Sequence, residues 1–243
     1  MSRHYKIDGF ELPSVTTIIS DCSDKSGALT QWAANMVVEW IRSHCRPSRI
    51  TEDTWIATGE NLDEARFNFR EVSKTALDIG SETHAWIENY LKTGKQSKIE
   101  NDKVMAASVA FLEWKDEVQL QTIYLEQTVR GDYWAGTLDF LGWIKLKEWK
   151  ERKLYVIDFK TSKAIYADSM GPQIAAYRSS VDTISHTTDG SGILRLDKET
   201  GLPEFKDFSK RYESDLNIFN KMVALYFARH PRIAKKAGYK EVT

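Results

Sequence analysis

Cysteine is nearly absent from this chain. Its 243 residues include only Cys22 and Cys45, and no C-x-x-C spacing. Cysteine alone therefore cannot build a zinc knuckle, an iron–sulfur cluster or a disulfide framework. Two free thiols suit a reducing compartment. No apolar run approaches the roughly 18 to 20 residues that a membrane-spanning helix requires. The opening "MSRHYKIDGF" lacks the apolar stretch of a secretory signal, so the expectation is a cytoplasmic protein with no membrane partner. A charge excess of one sign is also missing. Lysine and arginine number 34 against 35 acids, a formal net charge of -1. Bulk charge thus gives no sign of a nucleic-acid partner, although a local basic stripe suffices for one. Internal repeats, low-complexity blocks and Gly/Ser linkers are missing too, which points to one continuous structural unit.

What is present is 42% hydrophobic residues, including eight tryptophans and ten tyrosines, enough for a sizeable core. Residues 4 to 19 read as a hairpin around Asp8-Gly9 followed by an extended segment. Leu29, Trp32, Ala33, Met36, Val37, Trp40 and Ile41 recur at helical spacing. Residues 51 to 78 look mostly helical, with Thr51 or Asp53 as caps. A new helix is expected after Gly80, capped at Ser81 and ended by Gly94, and another over 101 to 118. The pattern then changes. "LQTIYLEQTVRG", "WAGTLDFLGWIKL" and "KLYVIDFKTS" are β-branched, aromatic and alternating, and predict three consecutive strands. A helix over "ADSMGPQIAAYRSSV", two short strands in "SGILRLD" and "LPEFKDFS", and a closing helix broken at Pro231 complete the chain. The basic tail "RIAKKAGYK" reads as loosely ordered. The predicted class is α/β or α+β: a central mixed sheet flanked by helices, with a helical N-terminal portion. The expected division is 1–118, a hairpin and helical region, and 119–243, the sheet-centred core.

Two of the strand-like runs carry an acid in the middle. Side chains alternate faces along a strand. Val156, Asp158 and Lys160 therefore share one face of "YVIDFKT", with Ile157 and Phe159 on the other. Asp139 faces away from Leu138 and Phe140, which should point into the core. If the strands pair, Asp139 and Asp158 converge. Two adjacent carboxylates repel unless one takes a proton or a cation lies between them. Hard oxygen ligands suit magnesium or manganese. Lys160 then sits beside the cation, where an ammonium can orient water or meet charge developing on a phosphate. This is equipment for phosphodiester hydrolysis.

At these residues the chain resembles the PD-(D/E)xK nuclease superfamily, and within it the RecB-like branch. The motifs stand as "GTLD" (Gly136 to Asp139), "DFKTS" (Asp158 to Ser162) and "QIAAY" (Gln173 to Tyr177), with an upstream histidine in "GSETHAWIE". Four motifs in order span residues 80 to 177. The N-terminal "PSVTTIIS…ALTQWAANMVVEW" is also similar to phage and mitochondrial genome-maintenance-type exonucleases.

The resemblance implies a restriction-endonuclease-like core. It makes Asp139, Asp158, the main-chain carbonyl of Phe159, and His84 metal ligands. Lys160 becomes the catalytic lysine. Gln173 and Tyr177, at i and i+4 on one helix face, look onto the site. Glu126, in the preceding strand, is an acid that could stand behind the ligands. The implied cofactor is Mg2+ or Mn2+, with no iron–sulfur cluster. The implied activity is hydrolysis of DNA, most simply as an exonuclease on ends, single-stranded DNA favoured, in phage or bacterial DNA processing. A structure-specific endonuclease and a catalytically inactive DNA-end-binding subunit on the same fold are the alternatives. The candidate substrate-contact stripes are "KLKEWKERK" (145–153), expected close to the site, "KTGKQSK" (92–98) and "RHPRIAKK" (229–236). The helical N-terminal half is expected to wall the site and thread a strand end.

Overall fold

A computed structural model describes residues 3–24, 26–49, 54–184 and 186–240. The possible caps Thr51 and Asp53 lie outside them. The chain separates into two units. One comprises residues 1–23 and 82–243, and the other residues 24–81. The expected border at residue 118 is therefore replaced. The hairpin, the histidine-bearing segment and the helix before residue 118 belong with the sheet.

The larger unit is a mixed α and β structure. Its sheet has the order β5 (Gln121–Arg130), β6 (Ala135–Ile144), β7 (Lys153–Lys160), β8 (Gly190–Leu196) and β9 (Pro203–Asp207). Neighbours are antiparallel except β7 and β8, which run parallel. A parallel pair needs a crossover, and α5 (Ala167–Ile184) supplies it. That topology brings the Gln173–Tyr177 motif back over the strand carrying Asp158 and Lys160.

Both faces of the sheet are covered, so its central strands read as near-continuous apolar runs. On one face, Leu154, Val156 and Ile193 pack with Ile174 and Tyr177 of α5 and Phe219 and Phe227 of α6 (Tyr212–Arg229). On the other, Phe140, Tyr155, Ile157 and Phe159 pack with Phe111 and Trp114 of α4 (Asp102–Glu117) and with Trp86 and Ile87 of α3 (Gly59–Thr93). Each fully buried aromatic or aliphatic side chain contributes about 1.5–3 kcal/mol. Leu138 departs from expectation. It joins the first cluster while Phe140 joins the second, so simple alternation fails between them, at Asp139.

Three further expectations are corrected. Residues 15 to 22 form a helix, α1 (Val15–Cys22), where β-branched residues suggested extension. Ser14 caps it, its hydroxyl accepting from Thr17 N at 3.0 Å, and Val15, Ile18 and Ile19 are buried. Packing and a good cap override weak local propensity. No new helix starts after Gly80. α3 runs through it, and the Ser81 hydroxyl donates back to the Leu77 carbonyl instead of capping. The tail is also ordered into α7 (Pro231–Ala237), with Pro231 at its first position and Gly238 ending it at φ 67°. The hairpin of β1 (His4–Ile7) and β2 (Phe10–Pro13) turns at Asp8-Gly9 as expected, both at positive φ.

The smaller unit holds α2 (Ser26–His44), the two-residue strands β3 (Arg46–Pro47) and β4 (Trp55–Ile56), and α3 up to Ser81. Thr58 and Asn61 cap the start of α3 reciprocally, and Asn68 Nδ2 donates to the Met36 carbonyl at 3.1 Å. Among the described residues, no helix is long and apolar enough to cross a membrane.

Candidate active site

β6 and β7 pair with Phe140 opposite Ile157, so Asp139 and Asp158 occupy the next step of the ladder. The two acids are tied together by backbone: Phe159 N donates to Asp139 Oδ2 at 2.7 Å. Both carboxylates are buried. Asp158 is held from two sides. Gln173 Nε2 donates to its Oδ1 at 2.8 Å, and Lys160 forms an ion pair with its Oδ2. Tyr177 lies one turn beyond Gln173 on the same face of α5. The glycine of the "GTLD" motif explains itself here. A Cβ on Gly136 would fall 2.5 Å from Tyr177 Cε1, so only glycine lets the tyrosine ring pack against β6.

His84 enters from α3. Its Nε2 lies 3.1 Å from the Phe159 carbonyl, and its Nδ1 lies 3.6 Å from Asp139 Oδ1 and 3.7 Å from Glu126 Oε1. Glu126 therefore belongs to the site itself, not behind it. The register steps from Leu125 opposite Phe140 to Gln127 opposite Leu138, which sets Glu126 across from Asp139. Glu126 adopts φ 47°, a left-handed conformation that costs a non-glycine residue about 1–2 kcal/mol. Strain of this kind collects at functional sites. Nothing in the sequence marks it, because strand periodicity does not reveal a single left-handed residue.

The charges are strongly interdependent. Burial disfavours the His84 imidazolium, but Asp139, Glu126 and Asp158 outweigh burial and raise its pKa to about 9. Burial and the Asp158 carboxylate push Asp139 up to about 7. Burial opposes the Lys160 ammonium as well, yet Asp158 and Asp139 hold its pKa above the usual lysine value. Burial and the same two acids drive the Tyr177 phenol well above its ordinary range. At neutral pH an imidazolium and an ammonium thus face a cluster of acids that cannot all ionise comfortably.

Ligand atoms of His84, Glu126 and Asp139 all lie within 4.8 Å of one another. Two donors on one cation, each at about 2.0–2.2 Å, stand at most about 4.4 Å apart, so a small closure brings the three within reach. Two carboxylates are hard donors of the kind magnesium and manganese take, and the imidazole is a donor shared with other transition metals. The residues fit the implied group. The expected ligand set differs in detail. Asp158 stands beside this threesome in the grip of Lys160 and Gln173, and the Phe159 carbonyl is engaged by His84.

The first of the expected basic stripes lies away from the site, and the other two are partly ion-paired. Residues 145–152 connect β6 to β7, at the end of β7 away from Asp158, and Lys153 opens β7. Asp158 lies five residue steps beyond Lys153, about 16 Å along a strand. Lys153 caps the Trp149 ring. In the second stripe Lys92 pairs with Glu88 and Lys98 with Glu100. In the third, Arg229 pairs with Asp21 and Lys236 with Glu11.

No protein-family model matches this chain, and no curated protein matches it.

Proposed function

We propose that this chain is a divalent-cation-dependent deoxyribonuclease of the PD-(D/E)xK type, resembling the RecB-like branch and acting on DNA ends. The observation that carries the reading is the Asp158–Lys160 pair, steadied by Gln173 and set against Asp139 by the Phe159 amide. A structural ion pair needs no such surroundings. Here an acid–lysine pair adjoins a further acid, a histidine and a strained glutamate.

His84, Glu126 and Asp139 would hold magnesium or manganese, and Asp158 beside them would complete the set that the resemblance implies. Bound there, the cation would supply Lewis acidity toward water and the phosphate oxygens. The protein's own groups do the rest. Lys160 presents an ammonium to the negative charge that builds on the phosphate oxygens as water adds to phosphorus. Gln173 fixes which Asp158 oxygen faces Lys160. Tyr177 packs one turn from Gln173 on the same helix, and Gly136 makes room for Tyr177. Hydrolysis leaves one phosphate end and one hydroxyl end.

The exonuclease form of the reading is tested with circular and linear single-stranded DNA. Linear DNA should be degraded with magnesium or manganese and spared with EDTA, while circles persist. Circles cut as fast as linear DNA would support the endonuclease alternative.

A further inference from the structure

Beyond Lys160 the chain builds a second cluster of cations. Lys160 pairs in register with Arg195 of β8, and Arg195 Nη1 donates to the Lys163 carbonyl at 3.3 Å. Arg195 thereby bolts the loop after Lys160 to the neighbouring strand. β8 then ends in a tight turn. Asp197 Oδ1 accepts from Glu199 N at 2.9 Å and Thr200 N at 3.1 Å, and Gly201 N donates to the Asp197 carbonyl at 2.8 Å. Gly201 supplies the left-handed φ of 72° in the turn, which lies beside the Ala106 backbone of α4. Lys103, in the first turn of α4, reaches Glu199 at 2.6 Å.

This arrangement gathers Lys103, Lys163 and Lys198 around one turn with too few counter-charges. Arg195 is matched by Asp197 and Glu204, and Lys103 by Glu199. Among the described residues, no carboxylate lies within ion-pair distance of Lys163 or Lys198. Lys198 is also partly buried. Burial, Lys103 and Lys163 lower its pKa against the pull of Glu199. Like charges packed together without partners attract an anion. In the same loop as Lys163, Tyr166 leaves 54% of its surface exposed. Its main chain is anchored, since its carbonyl accepts from Met170 N at 2.9 Å and Ser169 N at 3.2 Å. An exposed aromatic ring on an anchored loop beside lysines is what single strands use for stacking.

We propose that Lys163 and Lys198, backed by Lys103, seat the backbone phosphates of a nucleic-acid strand next to Lys160, and that Tyr166 stacks on one of its bases. The nature of the ligand rests on the nuclease reading. The lysine seat is distinct from the cation-binding residues and separates from them experimentally.

The test is fluorescence anisotropy of an end-labelled single-stranded oligonucleotide in EDTA, across a series of salt concentrations. Lys198→Gln should bind about tenfold more weakly at low salt, with a log–log salt slope reduced by about 0.7, one phosphate contact on a single strand. Lys198→Arg should bind as the wild type does. Tyr166→Ala should weaken binding about tenfold with the slope unchanged. Lys150→Gln, at the far end of the sheet, should change neither. Equal affinity and slope for Lys198→Gln and wild type would overturn the seat, as would a wild type that binds no oligonucleotide. Metal-dependent cleavage by the same proteins is read separately. Cleavage with no role for Lys198 leaves the nuclease reading standing, and Lys198-dependent binding without cleavage keeps the seat and removes that reading.

Discussion

Gln173 Nε2 stands 2.8 Å from Asp158 Oδ1, so a helix returning over the sheet fixes the orientation of a buried acid in a strand. That leaves the other oxygen of Asp158 to Lys160. Replacing Gln173 by alanine frees the carboxylate to rotate. Partners of this kind change metal affinity or activity about 10–100-fold. Gln173→Ala should keep its far-ultraviolet circular dichroism and weaken Mn2+ binding within that range by calorimetry. Unchanged affinity and unchanged activity would remove Gln173 from the site.

Gly136 and Tyr177 are a packing pair. The methyl of Gly136→Ala would meet the Tyr177 ring at 2.5 Å, and overpacking of a core costs about 1–3 kcal/mol. Urea unfolding should show that loss. Tyr177→Ala removes the clashing ring, so the double variant should lose less than the sum of the two single variants. Additive losses would mean that the clash is not the cause.

Glu126 combines a function with a cost. Glycine at this position relieves the left-handed backbone strain and removes one of the crowded acids. At pH 10, where His84 is neutral, Glu126→Gly should raise the stability of the metal-free protein by about 1 kcal/mol; at pH 7 the lost partner of the His84 imidazolium should reduce that gain, and cation binding should weaken. A variant less stable than wild type at pH 10, with unaltered Mn2+ affinity, would contradict both halves.

The pKa shifts set a direction for metal binding with pH. A cation competes with the protons on His84 and Asp139, whose pKa values are raised to about 9 and about 7. Both groups hold protons at pH 6, so each bound cation must displace them. Apparent affinity should therefore climb as pH rises from 6 and level off near 9, by roughly tenfold per pH unit for each proton displaced. Calorimetry in buffers of different ionisation enthalpy counts the protons. Affinity flat from pH 6 to 9 would place His84 outside the coordination.

Asp197 gives a stability test of the turn that carries Lys198. The Glu199 amide, and then Arg195, hold its pKa down at about 2, below the roughly 3.9 of an unfolded chain. Its stabilisation is therefore present above about pH 4 and lost as pH falls toward 2. Asp197→Ala should lower the urea midpoint at pH 6 and lower it less at pH 3. An equal difference at both pH values would mean that the charge of Asp197 does not hold the turn.

Particular residues show what the sequence could and could not reveal. The acids at 139 and 158 stood out because charge inside an apolar, alternating run is anomalous, and Lys160 followed from period two. The sheet and α5 were legible for the same reason of periodicity. α1 was not, because Val15 to Ile19 favour extension locally and become helical through the Ser14 cap and burial. Gly80 suggested a helix boundary that α3 passes through. The placing of Glu126 depends on one left-handed residue within an otherwise continuous register, which leaves no periodic trace. Lys103, Lys163 and Lys198 lie far apart in sequence and come together only through the β8–β9 turn on α4 and the loop after Lys160, whereas the first basic stripe obvious in the sequence falls at the far end of β7 and the other two are partly ion-paired.

The most direct measurement follows release of label from end-labelled single-stranded DNA by wild type and Lys160→Ala, with Mn2+ or EDTA, after calorimetry has established that both bind Mn2+. The account predicts Mn2+-dependent release by wild type, none in EDTA, and a loss of at least about a hundredfold in Lys160→Ala. Release that is equal in the two proteins, or no release by a Mn2+-loaded wild type, would contradict it.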